Sequence, residues 1–285
     1  MSSLIISLTT IHSRVDKIHL VIESLLNQQT SIDFEVRLYI SDEAYLLDKG
    51  INNIPDTLQR VAKNSDGRFN VFYTQNIGPY RKFLPLLKEY FADKIDFTYL
   101  VTVDDDTVYP DNWLQGLIEA NQKHNCVVAY RGRQLVCDEE SVMPYNTWIH
   151  SDSTVLQPSL KTVGTGKDGI LYRPEYFHPD IVDIEQALAA CNHADDLWLK
   201  VHTAINGVPS VLLAESLEEA FQDLGEEDDN TLYRKINKFG GNDVAMSNLH
   251  RYFLNRYRLN LLDVFNLNLS KSSTWLNPHF LNSYY

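Results

Sequence analysis

Cysteine is scarce in this chain of 285 residues: Cys126, Cys137 and Cys191 are an odd three with no CxxC pair. That excludes a disulfide framework and a structural zinc site, and it fits a reducing compartment such as the cytoplasm. No apolar run approaches the length of a membrane span. The opening MSSLIISLTTIHSR lacks the basic stretch and the full apolar core of a signal peptide. Positive charge is short as well, with 25 Lys and Arg against 38 Asp and Glu and a formal net charge of -13. So acidic a chain is a poor general binder of nucleic acid and is repelled by anionic membranes. One stretch departs from this: HRYFLNRYR, His250–Arg258, is basic and aromatic. It suits either one amphipathic helix of the fold or a peripheral contact at the inner face of a membrane. There are no repeats and no low-complexity linker.

What is present is an alternation of short apolar runs and helical patterns. LIISL (Leu4–Leu8), FEVRLYI (Phe34–Ile40), NVFYT (Asn70–Thr74), FTYLVTV (Phe97–Val103) and CVVAY (Cys126–Tyr130) read as buried strands. Between them, Ile18, Val21, Ile22, Leu25 and Leu26 recur at helical spacing after a candidate cap at Ser13. RKFLPLLKEYF (Arg81–Phe91) reads as a helix with an early proline, and DNWLQGLIEANQKH as one opened by Asp111. Such alternation predicts an α/β fold with a mostly parallel central sheet, whose ligands bind outside the carboxyl ends of the strands. Polar clusters fall at those ends: Thr9, Thr10 and Arg14, then Ser41 and Asp42, then Asp104, Asp105 and Asp106. Further on, Asp195 and Asp196 open a helix that stops at Asn206-Gly207, and Asp223–Asp243, acidic and glycine-bearing, reads as a mobile loop before a helical tail.

Three adjacent carboxylates after an apolar strand call for a cation. Hard divalent metals prefer carboxylate and phosphate oxygens. In an extended chain Asp104 and Asp106 project to one side and Asp105 to the other, so a D-x-D unit offers one carboxylate to a metal and another to a ribose or a metal-bound water. The bland alternative is a solvated turn that caps the next helix. At Asp195 and Asp196 the bland alternative is capping too; Asp195 is expected to serve as the cap, and the helix amino terminus to keep Asp196 charged.

In order and spacing, the strand–TT–Arg14 opening, YISD, VTVDDDTVYPDNWL, GTGKDGILYRP and ADDLWLK resemble the GT-A-fold glycosyltransferases of the broad family-2-like kind, from Leu4 to about Pro209. The resemblance implies a GT-A catalytic region over 1–215, split into a nucleotide-binding half (1–130) and an acceptor and catalytic half (131–215), with a loop and helical C-terminal region over 216–285. It implies a nucleotide-sugar donor, a UDP-sugar, and a divalent metal, Mn2+ or Mg2+. Thr9, Thr10 and Arg14 would lie by the nucleobase and diphosphate, Asp42 by the uracil or ribose, and Arg81 and Lys82 near phosphate. Asp104 would hold the ribose and share the metal with Asp106; Asp105 joins the donor set. Gly164, Gly166 and Gly169 would bring backbone close to donor sugar or acceptor. Asp196 sits at the catalytic carboxylate, with Asp195 as second candidate because the family often writes Glu-Asp there, and an inverting outcome follows. The acceptor would be a glycan or lipid-linked glycan, with Tyr145 and Trp148 as a stacking platform, in polysaccharide or lipid-linked glycan assembly. His202 and His250 are better read as core or solvent-facing residues than as metal ligands.

Three other readings compete. A haloacid-dehalogenase-like phosphatase also places D-x-D after an apolar strand, with Lys167 as its lysine. Its nucleophile, however, lies near the start of its core, and three strands precede Asp104 here. A sugar nucleotidyltransferase needs a glycine-rich phosphate loop after the first strand, and SLTTIHSR has no glycine. An inactive sugar-binding module would have no use for both Asp106 and Asp196.

Overall fold

The computed structural model describes residues 3–150, 157–213, 217, 220–225 and 240–267. Four strands follow the expected order: β1 (Leu4–Thr9), β2 (Phe34–Ile40), β3 (Phe69–Tyr73) and β4 (Tyr99–Thr102). They pair in parallel in the order β4-β1-β2-β3. The sheet is completed on the other side by β6 (Val127–Ala129), β10 (Ile170–Tyr172) and β11 (Ser210–Leu212), giving seven strands in the order β11-β6-β10-β4-β1-β2-β3. Strand β10 runs antiparallel to both its neighbours. Its amino end therefore meets the carboxyl end of β4, with Ile170 opposite Thr102, and the glycine-rich segment before it arrives at the edge that carries Asp104.

The strand sequences are apolar on both faces because both faces are covered. Leu4, Ile6 and Leu8 of β1 pack with α1 (Ile18–Leu26), α2 (Asp56–Asn64) and α4 (Trp113–His124), while Ile5 points to the opposite cluster. That second cluster holds α3 (Leu84–Phe91), α5 (Ile184–Cys191), α6 (Asp195–Ile205), α7 (Gly241–Tyr257) and α8 (Leu261–Phe265). Phe253 of α7 and Leu261 of α8 thus share one core with Trp198 of α6. Basic HRYFLNRYR is the end of α7: it buries Phe253 and leaves Arg251 and Leu254 exposed. No described helix is long and apolar enough to cross a membrane.

Several local expectations are corrected. Ser13 does not cap α1, which begins only at Ile18, and Asp111 does not cap α4, whose boundary residue is Asn112. Asp195 is not a cap either: Ala194 holds that position and Asp195 is the first helical residue. Helix α2 was not anticipated. Of the loop expected over Asp223–Asp243, residues 226–239 lie outside the described residues, while Gln222–Asp223 forms a strand, β12, paired antiparallel with β5 (Thr107–Val108) directly after the acidic triplet. A small sheet of β7 (Gly132–Gln134), β8 (Ile149–His150) and β9 (Thr162–Gly164) flanks the same edge.

Candidate active site

The carboxyl edge of the sheet opens into a cleft of about 950 Å³ that collects Thr9, Thr10, Arg14, Arg81, Lys82, Asp104, Asp105, Asp106, Tyr145, Gly166, Asp195 and Asp196. Asp42 is not among the residues lining it. Its side chain is exposed, and its carbonyl is packed against Gly50. Trp148 is not an open platform: it is 2% exposed, its indole N–H donates to the Met143 carbonyl at 2.7 Å, and its ring supports Tyr145 from behind at 4.8 Å. A second groove, about 480 Å³ between α1 and α2, gathers none of the acidic residues singled out above.

The acidic triplet divides its work. Asp105 is tied to the loop after β1, accepting from the Thr10 hydroxyl at 2.6 Å and from Arg14 Nη1 at 2.6 Å. Asp104 accepts from Lys82 Nζ at 3.0 Å. Asp106 keeps one carboxylate oxygen, Oδ1, buried with no hydrogen-bond partner. Burial first, then the charges of Asp105 and Asp104, push the Asp106 carboxyl up to about 7. The segment around β12 closes over it, with the Leu224 N–H donating to the Asp106 carbonyl at 2.7 Å.

Arg81 and Lys82 are not open phosphate ligands. Arg81 is 1% exposed and donates to Asp48 Oδ2 at 3.0 Å and to the Thr10 carbonyl at 3.0 Å, so it braces the β1 loop. Lys82 is also buried and bridges two halves of the site, 3.0 Å from Asp104 and 2.9 Å from Asp195. Burial alone would lower its pKa; Asp104, Asp195 and Asp196 together hold it well above the ordinary lysine value.

Asp196 faces the triplet across Gly166. Its Oδ2 accepts from the Gly166 N–H at 3.1 Å, and its Oδ1 is buried without a partner. The expectation that the helix terminus keeps it charged is overturned. Burial, followed by the neighbouring Asp195 charge, raises Asp196 to about 8. A helix amino terminus favours a carboxylate only modestly, and desolvation of a carboxyl whose Oδ1 is buried without a partner outweighs it. His202 is buried against Trp198, and burial pushes it down to about 3; neither it nor His250 lines the cleft.

Two glycines make this arrangement possible. Gly169 has φ +88, and a Cβ there would meet the Trp113 ring at 2.3 Å. A Cβ on Gly166 would stand 2.9 Å from Asp104 Oδ1 and 3.2 Å from Lys82 Nζ. Gly166→Ala is expected to displace this ion pair and lower turnover on the order of a hundredfold, since small misplacements of reacting groups cost that much. Steady-state rates beside a melting curve check it; a variant that turns over like the wild type would show that the approach is not needed.

Among the described residues, no group of three or more His, Cys, Asp or Glu is arranged to hold a metal ion. A divalent cation that binds nucleotide uses one or two protein carboxylates and takes its other ligands from phosphate and water. Asp106 Oδ1, unpartnered beside Asp104, fits that partial set. The residues missed from the sequence are Asp48, which anchors Arg81, and Arg131 and Arg133, which line the cleft. The signal for the arginines was present: YRGR follows the fifth strand at the same carboxyl edge.

A strand edge with paired acidic clusters across a glycine turn is the layout of a glycosyltransferase of the GT-A kind. The model for glycosyl transferase family 2 matches residues 8–177, and the chain belongs to that family. Among solved structures, S. aureus TarS 1-349 is similar at 16% identity, covering 95% of this chain and 77% of that one, with a TM-score of 0.48. The mannosyltransferase PcManGT from Pyrobaculum calidifontis, in complex with GDP-Man and Mn2+, is similar at 14% identity over 76% of this chain and 58% of that one, with a TM-score of 0.47. The 4-diphosphocytidyl-2C-methyl-D-erythritol synthase from Anaerococcus prevotii DSM 20548 shares 11% identity over 81% and 93%, with a TM-score of 0.46. No curated protein shows significant sequence similarity to it. The phosphatase alternative gains no support.

Proposed function

We propose that the cleft transfers a glycosyl group from a nucleoside-diphosphate sugar, a UDP-sugar, to a hydroxyl of a glycan or glycolipid, with inversion at the anomeric carbon. The observation that carries this reading is the buried, unpartnered Oδ1 of Asp196, set across Gly166 from the acidic triplet. In its ionised form Asp196 takes the proton of the acceptor hydroxyl. The acceptor oxygen then bonds to the anomeric carbon, and the bond from that carbon to the diphosphate oxygen breaks, its electron pair leaving with the nucleoside diphosphate. A divalent cation, held by Asp106 with Asp104 beside it, would neutralise charge on that leaving group. Asp105, Thr10 and Arg14 fix the loop on which the triplet stands. Lys82 holds Asp195 in place next to the base.

Calorimetry with UDP, with and without Mn2+, tests the donor half. Wild type is expected to bind UDP more tightly with the metal, and Asp106→Asn to lose that dependence. Unchanged metal dependence in the variant removes Asp106 from the ligands; absence of UDP binding by the wild type, with GDP as the comparison, overturns the donor assignment.

A further inference from the structure

Five cations of the cleft, Arg14, Arg81, Lys82, Arg131 and Lys167, each pair with a carboxylate. Arg133 is different. It lies on β7 and lines the cleft, yet no carboxylate of the described residues is within ion-pair distance of it. Its guanidinium rests 4.5 Å above the ring of Tyr145. That ring is held in place: Trp148 backs it, and the Tyr145 N–H donates to Asp243 Oδ1 at 2.6 Å. An arginine stacked on a fixed aromatic ring keeps its donor edges available and has little conformational freedom left to lose on binding.

The bond to Asp243 brings Tyr145 to the amino end of α7, a helix of 17 residues with no side-chain cap. The N–H groups of its first turn carry a partial positive charge. Beside Asp243, Asn242 lines the cleft at 6% exposure, and its side-chain amide has no hydrogen-bond partner among the described residues. The amide opens to the cleft, where it is free to donate to a ligand. The Arg133 guanidinium, with no carboxylate beside it, and the Asn242 amide, at the uncapped amino end of α7, thus line one cleft of an otherwise acidic protein. The Asp243 carboxylate is engaged by the Tyr145 amide.

We propose that Arg133, Asn242 and the amino end of α7 form an acceptor subsite for an anionic group, a phosphate or a carboxylate carried by the acceptor sugar. This rests on reading the cleft as a transferase with its acceptor beside Asp196. Arg131, on the same strand edge, is neutralised by Asp168 at 2.7 Å, which leaves Arg133 as the residue that selects for charge. The acceptor is accordingly an acidic glycan or a sugar phosphate, and a neutral sugar of the same shape is a poorer one.

Ligand-observed NMR on the full chain with saturating UDP and Mg2+ tests this, at constant ionic strength. The probes are D-glucose 6-phosphate, D-glucuronate and D-glucose. At least one anionic sugar is expected to bind about tenfold or more tightly than glucose, the scale of one charge-assisted hydrogen bond. Arg133→Gln is expected to remove most of that advantage and leave UDP affinity unchanged; Arg133→Lys, which keeps the charge but not the fork, recovers part of it. Which of the two anionic probes binds distinguishes phosphate from carboxylate. The proposal is overturned if neither anionic sugar outbinds glucose on the wild type, or if the preference persists in Arg133→Gln. A fall in UDP affinity in that variant also overturns it, by assigning Arg133 to the donor. Failure of UDP to bind the wild type is a separate result, and it strikes the donor reading instead.

Discussion

Asp196→Asn is expected to bind UDP and metal as the wild type does and to lose most transfer, roughly a hundred- to ten-thousand-fold in turnover, the range for removing a general base. The asparagine keeps the size of the side chain and an acceptor for the Gly166 N–H, so the fold has no reason to change. The pH dependence follows from burial. Asp196 is raised to about 8, and only its ionised form accepts the proton, so kcat/KM for the acceptor rises with pH through that region. Asp195→Asn removes a negative neighbour that helps hold Asp196 up, which lowers the midpoint of the rise. It also removes a partner of Lys82, so turnover falls, though less than in Asp196→Asn. Rates at saturating donor across pH 6 to about 9.5 distinguish the two. If Asp195→Asn loses turnover and Asp196→Asn keeps it, the base is one residue earlier than argued.

The second large effect concerns stability. Lys200 lies on α6 with 4% exposure; its ammonium meets the Ser210 hydroxyl at 3.2 Å, and no carboxylate of the described residues pairs with it. Burial lowers its pKa to about 7. In the unfolded chain it returns to about 10.4. Between those values the unfolded state binds more protons, so stability rises with pH; below about 7 both states are charged and the penalty is complete. Lys200→Met is therefore expected to stabilise the protein at neutral pH by about 2 to 4 kcal/mol, the pKa difference less the cost of leaving Ser210 without its partner. Urea denaturation of both proteins at pH 7 and near pH 10 checks it. The gap between them should narrow at the higher pH, and a destabilised variant at pH 7 would show that the amine makes stronger bonds than Ser210 alone supplies.

The carboxyl-edge rule explains how much of this was legible. Short apolar runs marked β1 to β4, and parallel order put Thr10, Asp104 and Asp106 on one edge. What escaped has particular causes. Helix α2 buries only Leu58 and Val61, too narrow a stripe to announce itself. The direction of β10 is not written in Ile170–Tyr172, because three apolar residues read the same in either sense. Arg81 looked like a phosphate ligand because nothing local shows that Asp48, 33 residues earlier, has already claimed it. For Asp196 the local rule was sound and tertiary burial outweighed it. Trp148 failed as a platform for a similar reason: an aromatic near a cleft is drawn inward whenever the core has room for it.

The antiparallel strand also bears on how the molecule is assembled. A chain cut after Tyr130 would lack β10, the strand that lies between β4 and β6 in the sheet. Such a fragment would leave the facing edges of β4 and β6 unpaired. Strand β6 is set only when residues 162–172 thread back into the sheet, and the same event delivers Gly166 to Asp104. The pairing of β10 with β4 is a long-range contact, of the kind that slows folding, and the acidic edge is completed only with it.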